Sequence, residues 1–296
     1  MSTETVDPRF VDIDRWPSTA AVEAMLEGQL AAVAAIKSQV GAIAAAADMA
    51  ARRLGTAGRL VYAGAGTSGR VAVQDGVELF PTYNWPRERL LFLMAGGNGA
   101  LIESVEGAED DPDAARASIA AAEITQGDVV IGVAASGRTP YTLAVIEAAR
   151  AAGALTIGVA NNPGAPLLSL AEHGLLADTG SELVAGSTRM KAGTAQKAVL
   201  NLLSTTIMLR RGLVHRGRMV NMRVSNQKLR ARAEAMVEEI AGVAGNGAAA
   251  LDVANGEIRQ AALIARGATL AQANALLAKH DGDLGAALAD LRSSPQ

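Results

Sequence analysis

Two short stretches of the chain carry the same functional groups. "GAGTSGR" (64–70) and "ASGRTP" (135–140) each hold Ser-Gly-Arg beside a threonine: Thr67, Ser68 and Gly69 in the first, Ser136, Gly137, Arg138 and Thr139 in the second. Hydroxyls, glycine N–H groups and the N-terminus of a following helix together suit a dianionic phosphate monoester. Either stretch alone reads as the capped start of a helix. The duplication points to a ligand.

Gly64, Gly66 and Gly69 also satisfy G-x-G-x-x-G, the spacing of a dinucleotide site. That chemistry needs a carboxylate at the end of the next strand to bind the ribose hydroxyls. Here "LLFLMA" runs straight into Gly96, Gly97 and Asn98. The ligand expected is a small phosphorylated molecule rather than a dinucleotide. Acid–base groups are available in Glu78 and in Glu109, the latter crowded by Glu106, Asp110 and Asp111. By themselves these read as a polar helix residue and an acidic helix start.

The elements that must position these groups follow from pattern. "RLVYAGAG", "LLFLMAGG", "DVVIGVAAS", "LTIGVANNPG" and "HGLLADTG" are five apolar strands closed by glycine or small polar residues. Helices are expected between them, one from Ser68 to Leu79, one opened by Asp111 and Pro112, and one over "PYTLAVIEAARAAG". Strands alternating with helices predict an α/β fold, a doubly wound, mostly parallel sheet flanked by helices, with ligands beyond the strands' carboxyl ends. Helical spacing also runs from Ser18 to about Leu54, with Ser18 or Thr19 as the cap. After Lys228 the pattern turns all-helical, with two or three short helices expected and a loose echo between "NGEIRQAAL" and "DGDLGAAL". The division expected is 1–54 (helical, packed on the core), 55–228 (phosphate-binding α/β domain) and 229–296 (small all-helical bundle).

Composition sets the outer limits. The chain has 296 residues, a formal net charge of −3 and no cysteine, so it offers no basic surface for nucleic acid and no thiolate metal site. His173, His215 and His280 lack metal-ligand spacing. The apolar run 30–51 is interrupted by Lys37, Gln39 and Asp48, short of a membrane span, and the polar start is unlike a signal peptide. A cytoplasmic protein with no membrane partner is expected.

Several separated motifs, in order, resemble the N-acetylmuramic acid 6-phosphate etherases, within the sugar isomerase (SIS) domain proteins. They are "GAGTSGR", "VEGAEDDP", "AASGRTPY", "GSTRMKAGTAQK" and "VLNLLST", with "DIDRWPSTAAVEAMLEGQ" near the start. The resemblance spans nearly the whole chain. It implies a SIS-type sheet, a homodimer with active sites at the subunit interface, and no metal or organic cofactor. The implied reaction cleaves the D-lactyl ether of N-acetylmuramic acid 6-phosphate to N-acetylglucosamine 6-phosphate and D-lactate. Glu78 and Glu109 are the matching pair. Glu78 is assigned as proton donor, and Glu109 as the base that deprotonates carbon and later activates water.

"SELVAGSTRMKAG" adds Glu182, Ser187, Arg189 and Lys191, with a cation there suited to the lactyl carboxylate. A helix from Ser68 puts Glu78 about 15 Å further along. The phosphate is therefore expected on Ser136, Gly137 and Thr139, the sugar against Ser68 and Gly69, and Glu78 from a partner subunit. The chain departs from the family at "DGVELFP", where the usual run is Asp-Ala-Ser-Glu-Cys-Pro-Pro, and at Asn221, usually aspartate. A phosphosugar isomerase and a non-catalytic phosphosugar sensor are the alternative readings. The paired glutamates favour the lyase.

Overall fold

The computed structural model describes residues 2–293. In chain order, α1 (Ser18–Ala34) and α2 (Val40–Leu54) precede β1 (Leu60–Gly64), α3 (Gly66–Val77), the short α4 (Leu79–Tyr83) and β2 (Leu90–Met94). Next come α5 (Pro112–Ala121), β3 (Val129–Val133), α6 (Pro140–Ala151), β4 (Leu155–Ala160), α7 (Pro166–Leu170), β5 (His173–Leu176) and α8 (Lys191–Arg210). The small hairpin strands β6 (Val214–His215) and β7 (Arg218–Met219) lead to α9 (Gln227–Ala241), α10 (Gly247–Val253), α11 (Ile258–Ala265), α12 (Leu270–Lys279) and α13 (Leu284–Ser293).

The five expected strands form one parallel sheet in the order β2-β1-β3-β4-β5. Alternating residues face opposite sides, as pleating requires. Val61, Ala63 and Val130 join Ala115, Ile119, Val145 and Ile146 of α5 and α6 in one core. Tyr62 faces the other side. Its ring lies 6.0 Å from that of Phe92, and its hydroxyl donates to Asp75 Oδ2 of α3 at 2.9 Å. Helices therefore cover both faces, and the sheet is doubly wound.

The contacts define two compact units. The first runs to Val77 and from Arg87 to Thr206; the second comprises Glu78–Pro86 and the chain from Ile207. This differs from the three segments expected. Ile43, Ala46, Ala47, Ala50 and Leu54 of α2 are buried within the first unit, so the N-terminal segment is grouped with the sheet. The second unit starts earlier than residue 229, within α8.

Three local expectations change. Pro17, not Ser18 or Thr19, holds the cap position of α1, and a 3₁₀ turn over Ala35–Gln39 divides the N-terminal helix. The helix after β1 starts at Gly66 and ends at Val77. The C-terminal region contains five helices among the described residues, not two or three, around a core that includes Val220, Met236, Val237, Leu251, Ile258 and Leu284. The faint sequence echo has a backbone counterpart. Asn255-Gly256 and Asp281-Gly282 both take positive φ just before a helix.

By length and composition alone, Ser18–Leu54 is apolar enough to cross a membrane. Its second half instead supplies core residues, while its first half leaves Val22, Leu26, Leu30 and Val33 exposed.

Candidate active site

β1 has β2 on one side and β3 on the other, so the chain reverses its direction of strand addition there. The crevice at such a switch point, beyond the carboxyl ends, is where ligands bind in open α/β sheets. Both Ser-Gly-Arg stretches flank it, since Gly64 and Val133 are register neighbours.

The two stretches are alike in sequence and different in structure. In the first, Thr67, Ser68 and Gly69 lie within the opening turns of α3. Ser68 is buried, and a Cβ on Gly69 would fall 2.3 Å from Met94 Sδ, so Gly69 is needed for helix-to-sheet packing. In the second, Ser136, Gly137, Arg138 and Thr139 form a loop before α6, tied down where Gly137 O accepts from Leu167 N at 3.1 Å. Gly137 takes φ +60°, a left-handed conformation that favours glycine, and its Cβ would meet Ala165 at 2.5 Å. Ser136 Oγ accepts from Arg138 N at 3.1 Å. Thr139 is the N-cap of α6 but makes no side-chain cap bond, which leaves the helix N-terminus able to receive an anion. By contrast, α5 is capped as expected, with Asp111 Oδ1 accepting from Asp113 N at 3.0 Å and Ala114 N at 2.9 Å.

Glu109 is exposed in a 3₁₀ turn, Ala108–Asp110, after β2. It lines a cavity of about 200 Å³ together with Gly66, Arg70, Met94, Ser104 and Val105. Glu78 belongs to the second unit. It is exposed at the N-cap of α4, without a side-chain cap bond, just after the end of α3. The last turn of α3 is held by Asp75, which accepts from Tyr62 and, at 2.6 Å, from Asn201 Nδ2 of α8. Burial, and then the adjacent Asp75 carboxylate, push the Tyr62 phenol well above its ordinary pKa, so it remains a donor.

In the third stretch, Glu182 is fully buried and caps α8. Its oxygens accept from Lys191 N at 3.0 Å and Ala192 N at 2.9 Å. Lys191 Nζ donates to Ser181 O at 2.8 Å. Arg189 is exposed, and Ser187 is half-buried in a turn. The start of α8 comes close to the first loop, for a Cβ on Gly193 would lie 3.5 Å from Thr67 Cγ2.

Sequence reading missed what joins these loops. Thr3 is fully buried. Asn162 Nδ2 donates to Thr3 Oγ1 at 3.1 Å and to Ala135 O at 2.9 Å, next to Ser136. Gly186 N donates to Thr3 O at 3.0 Å, in the third stretch. One N-terminal residue thus ties two candidate loops together. Nothing in the spacing marks it.

Two of the departing positions, Gly76 and Asn221, have local explanations. A Cβ at Gly76 would fall 2.5 Å from the Phe92 ring, so the bulky ring on β2 excludes the family's alanine there. Asn221 donates from Nδ2 to Tyr83 O at 2.7 Å and accepts from Arg259 at 2.6 Å. An aspartate would keep only the second bond.

A doubly wound parallel sheet with hydroxyl-bearing loops at its switch point is common to several classes of α/β protein, and family models identify this one as a SIS-domain protein. Residues 42–150 match the glucokinase regulatory protein N-terminal SIS domain family, and 111–206 the SIS domain family. A solved protein from Escherichia coli CFT073 shares the fold, with a TM-score of 0.50 and 17% identity, over 66% of this chain and 92% of that one.

The chain is 47% identical over 260 residues to the N-acetylmuramic acid 6-phosphate etherase of Deinococcus radiodurans, covering 88% of this chain and 85% of the relative. It is 45% identical over 295 residues to that of Streptomyces coelicolor, covering 98% and 94%. The chain belongs to the N-acetylmuramic acid 6-phosphate etherase family.

Proposed function

We propose that the protein is a carbon–oxygen lyase that splits N-acetylmuramic acid 6-phosphate into N-acetylglucosamine 6-phosphate and D-lactate, in cell-wall amino-sugar recycling. The observation that carries the reading is Glu109 on the wall of a cavity at the carboxyl edge of the sheet, in a chain of this family.

The phosphate sits on Ser136, Gly137, Arg138 and Thr139, at the open N-terminus of α6. Thr67, Ser68 and Gly69 border the sugar. Ser187 and Arg189 complete the polar rim, while Glu182 and Lys191 fix the loop that carries them.

The open-chain aldehyde acidifies the proton on the second sugar carbon. Glu109 takes that proton, the bond from the third carbon to the ether oxygen breaks, and Glu78 protonates the departing lactate oxygen. The product is an unsaturated aldehyde. Glu109 passes its proton to solvent and then activates water to add at the third carbon. The second carbon and Glu78 each recover a proton, so one water is consumed overall.

The reading includes a homodimer whose partner supplies Glu78 to the site. Val22, Leu26, Leu30 and Val33 recur at intervals of four, four and three along α1, an exposed apolar stripe suited to a second copy of the chain. A cytoplasmic protein fits a phosphorylated, membrane-impermeant substrate. Mixing Glu78→Ala with Glu109→Gln, each inactive by itself, should restore activity in mixed dimers, and its absence would overturn the shared site. Leu26→Glu should lower the mass in light scattering. A detergent requirement instead would point to lipid.

The reaction is tested with the substrate in oxygen-18 water. Lactate release with label in the sugar establishes elimination followed by hydration. Binding without turnover favours the phosphosugar sensor.

A further inference from the structure

The cavity beside Glu109 contains a group that the reaction above does not use. Strand order places the loops after β3, β1 and β2 in a row along the carboxyl edge. Neighbouring strands lie about 4.8 Å apart, so the β2 loop is roughly 10 Å from the β3 loop. An open-chain amino-sugar phosphate spans a comparable length from its phosphate to its third carbon. With the phosphate on Ser136–Thr139, the substituent on that carbon reaches the β2 side, where the cavity opens.

Arg70 is the one basic side chain in the described lining. Its Nε donates to Ala100 O and Leu101 O, both at 3.1 Å, which anchors the guanidinium. Among the described residues, its two terminal nitrogens have no hydrogen-bond partner. An anchored guanidinium with both terminal nitrogens available is a bidentate receptor for a carboxylate. Met94, Ala100 and Val105 supply apolar wall. Glu106 and Glu109 also face the cavity, so an anion is tolerated only where the guanidinium holds it.

We propose that this cavity is the subsite for the lactyl group of the ether, with Arg70 binding its carboxylate and Met94 and Val105 packing on its methyl group. This places the carboxylate-binding cation on α3 rather than in the Arg189 loop. An N-acetyl group in the same space would leave the guanidinium without an anion. The inference rests on the etherase reading.

The test compares the natural substrate with an analogue whose lactyl carboxylate is a neutral amide, by kcat/KM, with the Ki of N-acetylglucosamine 6-phosphate measured alongside. The wild-type protein should prefer the acid by roughly 10- to 100-fold, the worth of a charged hydrogen-bonded pair. In Arg70→Gln the preference should collapse toward unity while the Ki stays constant. Ser104→Asp, which adds a repelling charge and leaves the Arg70 anchor intact, should lower the preference in the same way. Preference retained in both variants, or lost instead in Arg189→Gln, overturns the subsite. If the wild-type protein releases lactate from neither compound, the etherase reading itself has failed.

Discussion

The two ends of the parallel sheet are built on opposite principles. At the amino end, arginines close the carbonyl termini of helices. Arg89 donates to Leu54 O and Gly55 O after α2, at 2.9 and 3.1 Å. Arg59 reaches Ala122 O and Glu123 O after α5, both at 2.8 Å, and Arg53 reaches Gly153 O after α6 at 2.8 Å. Cations there complement the negative ends of the helices. Arg59 also pairs with Asp128 at 2.6 Å, locking β1 to β3. At the carboxyl end, the positive end of α6 has no side-chain cap, and Glu109 stands exposed beside a cavity. One end is saturated with internal partners. The other leaves the start of α6 without a side-chain cap.

The sharpest way to break this comparison is Glu109→Gln. It should lower kcat by about 10³-fold, within the usual range for a lost general base, and leave the melting temperature unchanged. A clear fall in Tm would mean that the carboxyl end also bears structural load.

Next in size is Arg59→Met, which strands a carboxylate that is only 2% exposed. It should cost about 3 kcal/mol in denaturant unfolding, with kcat preserved in the folded fraction. Burial raises the Asp128 pKa, but bonds from the Arg59 guanidinium and the Thr125 and Arg59 amides outweigh it and hold the carboxyl below its ordinary value. A depressed carboxylate contributes its full stability above the unfolded pKa and loses it as pH falls through the folded one. The wild-type protein should therefore lose this contribution only below about pH 4, and in Arg59→Met that acid-side loss should shrink.

Smaller effects belong to the open end. Ser136→Ala should raise KM about 10-fold with little change in kcat, consistent with one lost bond to a charged group. Thr3→Val should raise KM about 3-fold by freeing Asn162 from one of its partners, with Thr3→Ser restoring it. If Thr3→Val instead lowers Tm and leaves KM alone, the residue is only a structural plug.

Much of the local architecture was legible in the sequence, because its signals are local. Glycine-closed apolar runs marked all five strands of the sheet, and the Asp111-Pro112 pair marked the start of α5. The duplicated Ser-Gly-Arg was legible too, but not the different packing of its two copies. Gly69, on α3, is fixed by Met94 of β2, and Gly137 by Ala160 and Ala165. The C-terminal region holds more helices than its pattern predicts because their short turns carry weak signals, and the cap of α1 differs because Pro17 occupies its N-cap.

The sequence by itself determined the order of elements and the loops that carry hydroxyls, since these depend on residue type and spacing along one chain. Tertiary structure alone decided that Glu182 spends its carboxylate on α8, that Thr3 bridges to Asn162 across 159 positions, and that Arg70 is anchored beside Glu109. Those outcomes depend on burial and on which distant groups satisfy one another. No local pattern records them.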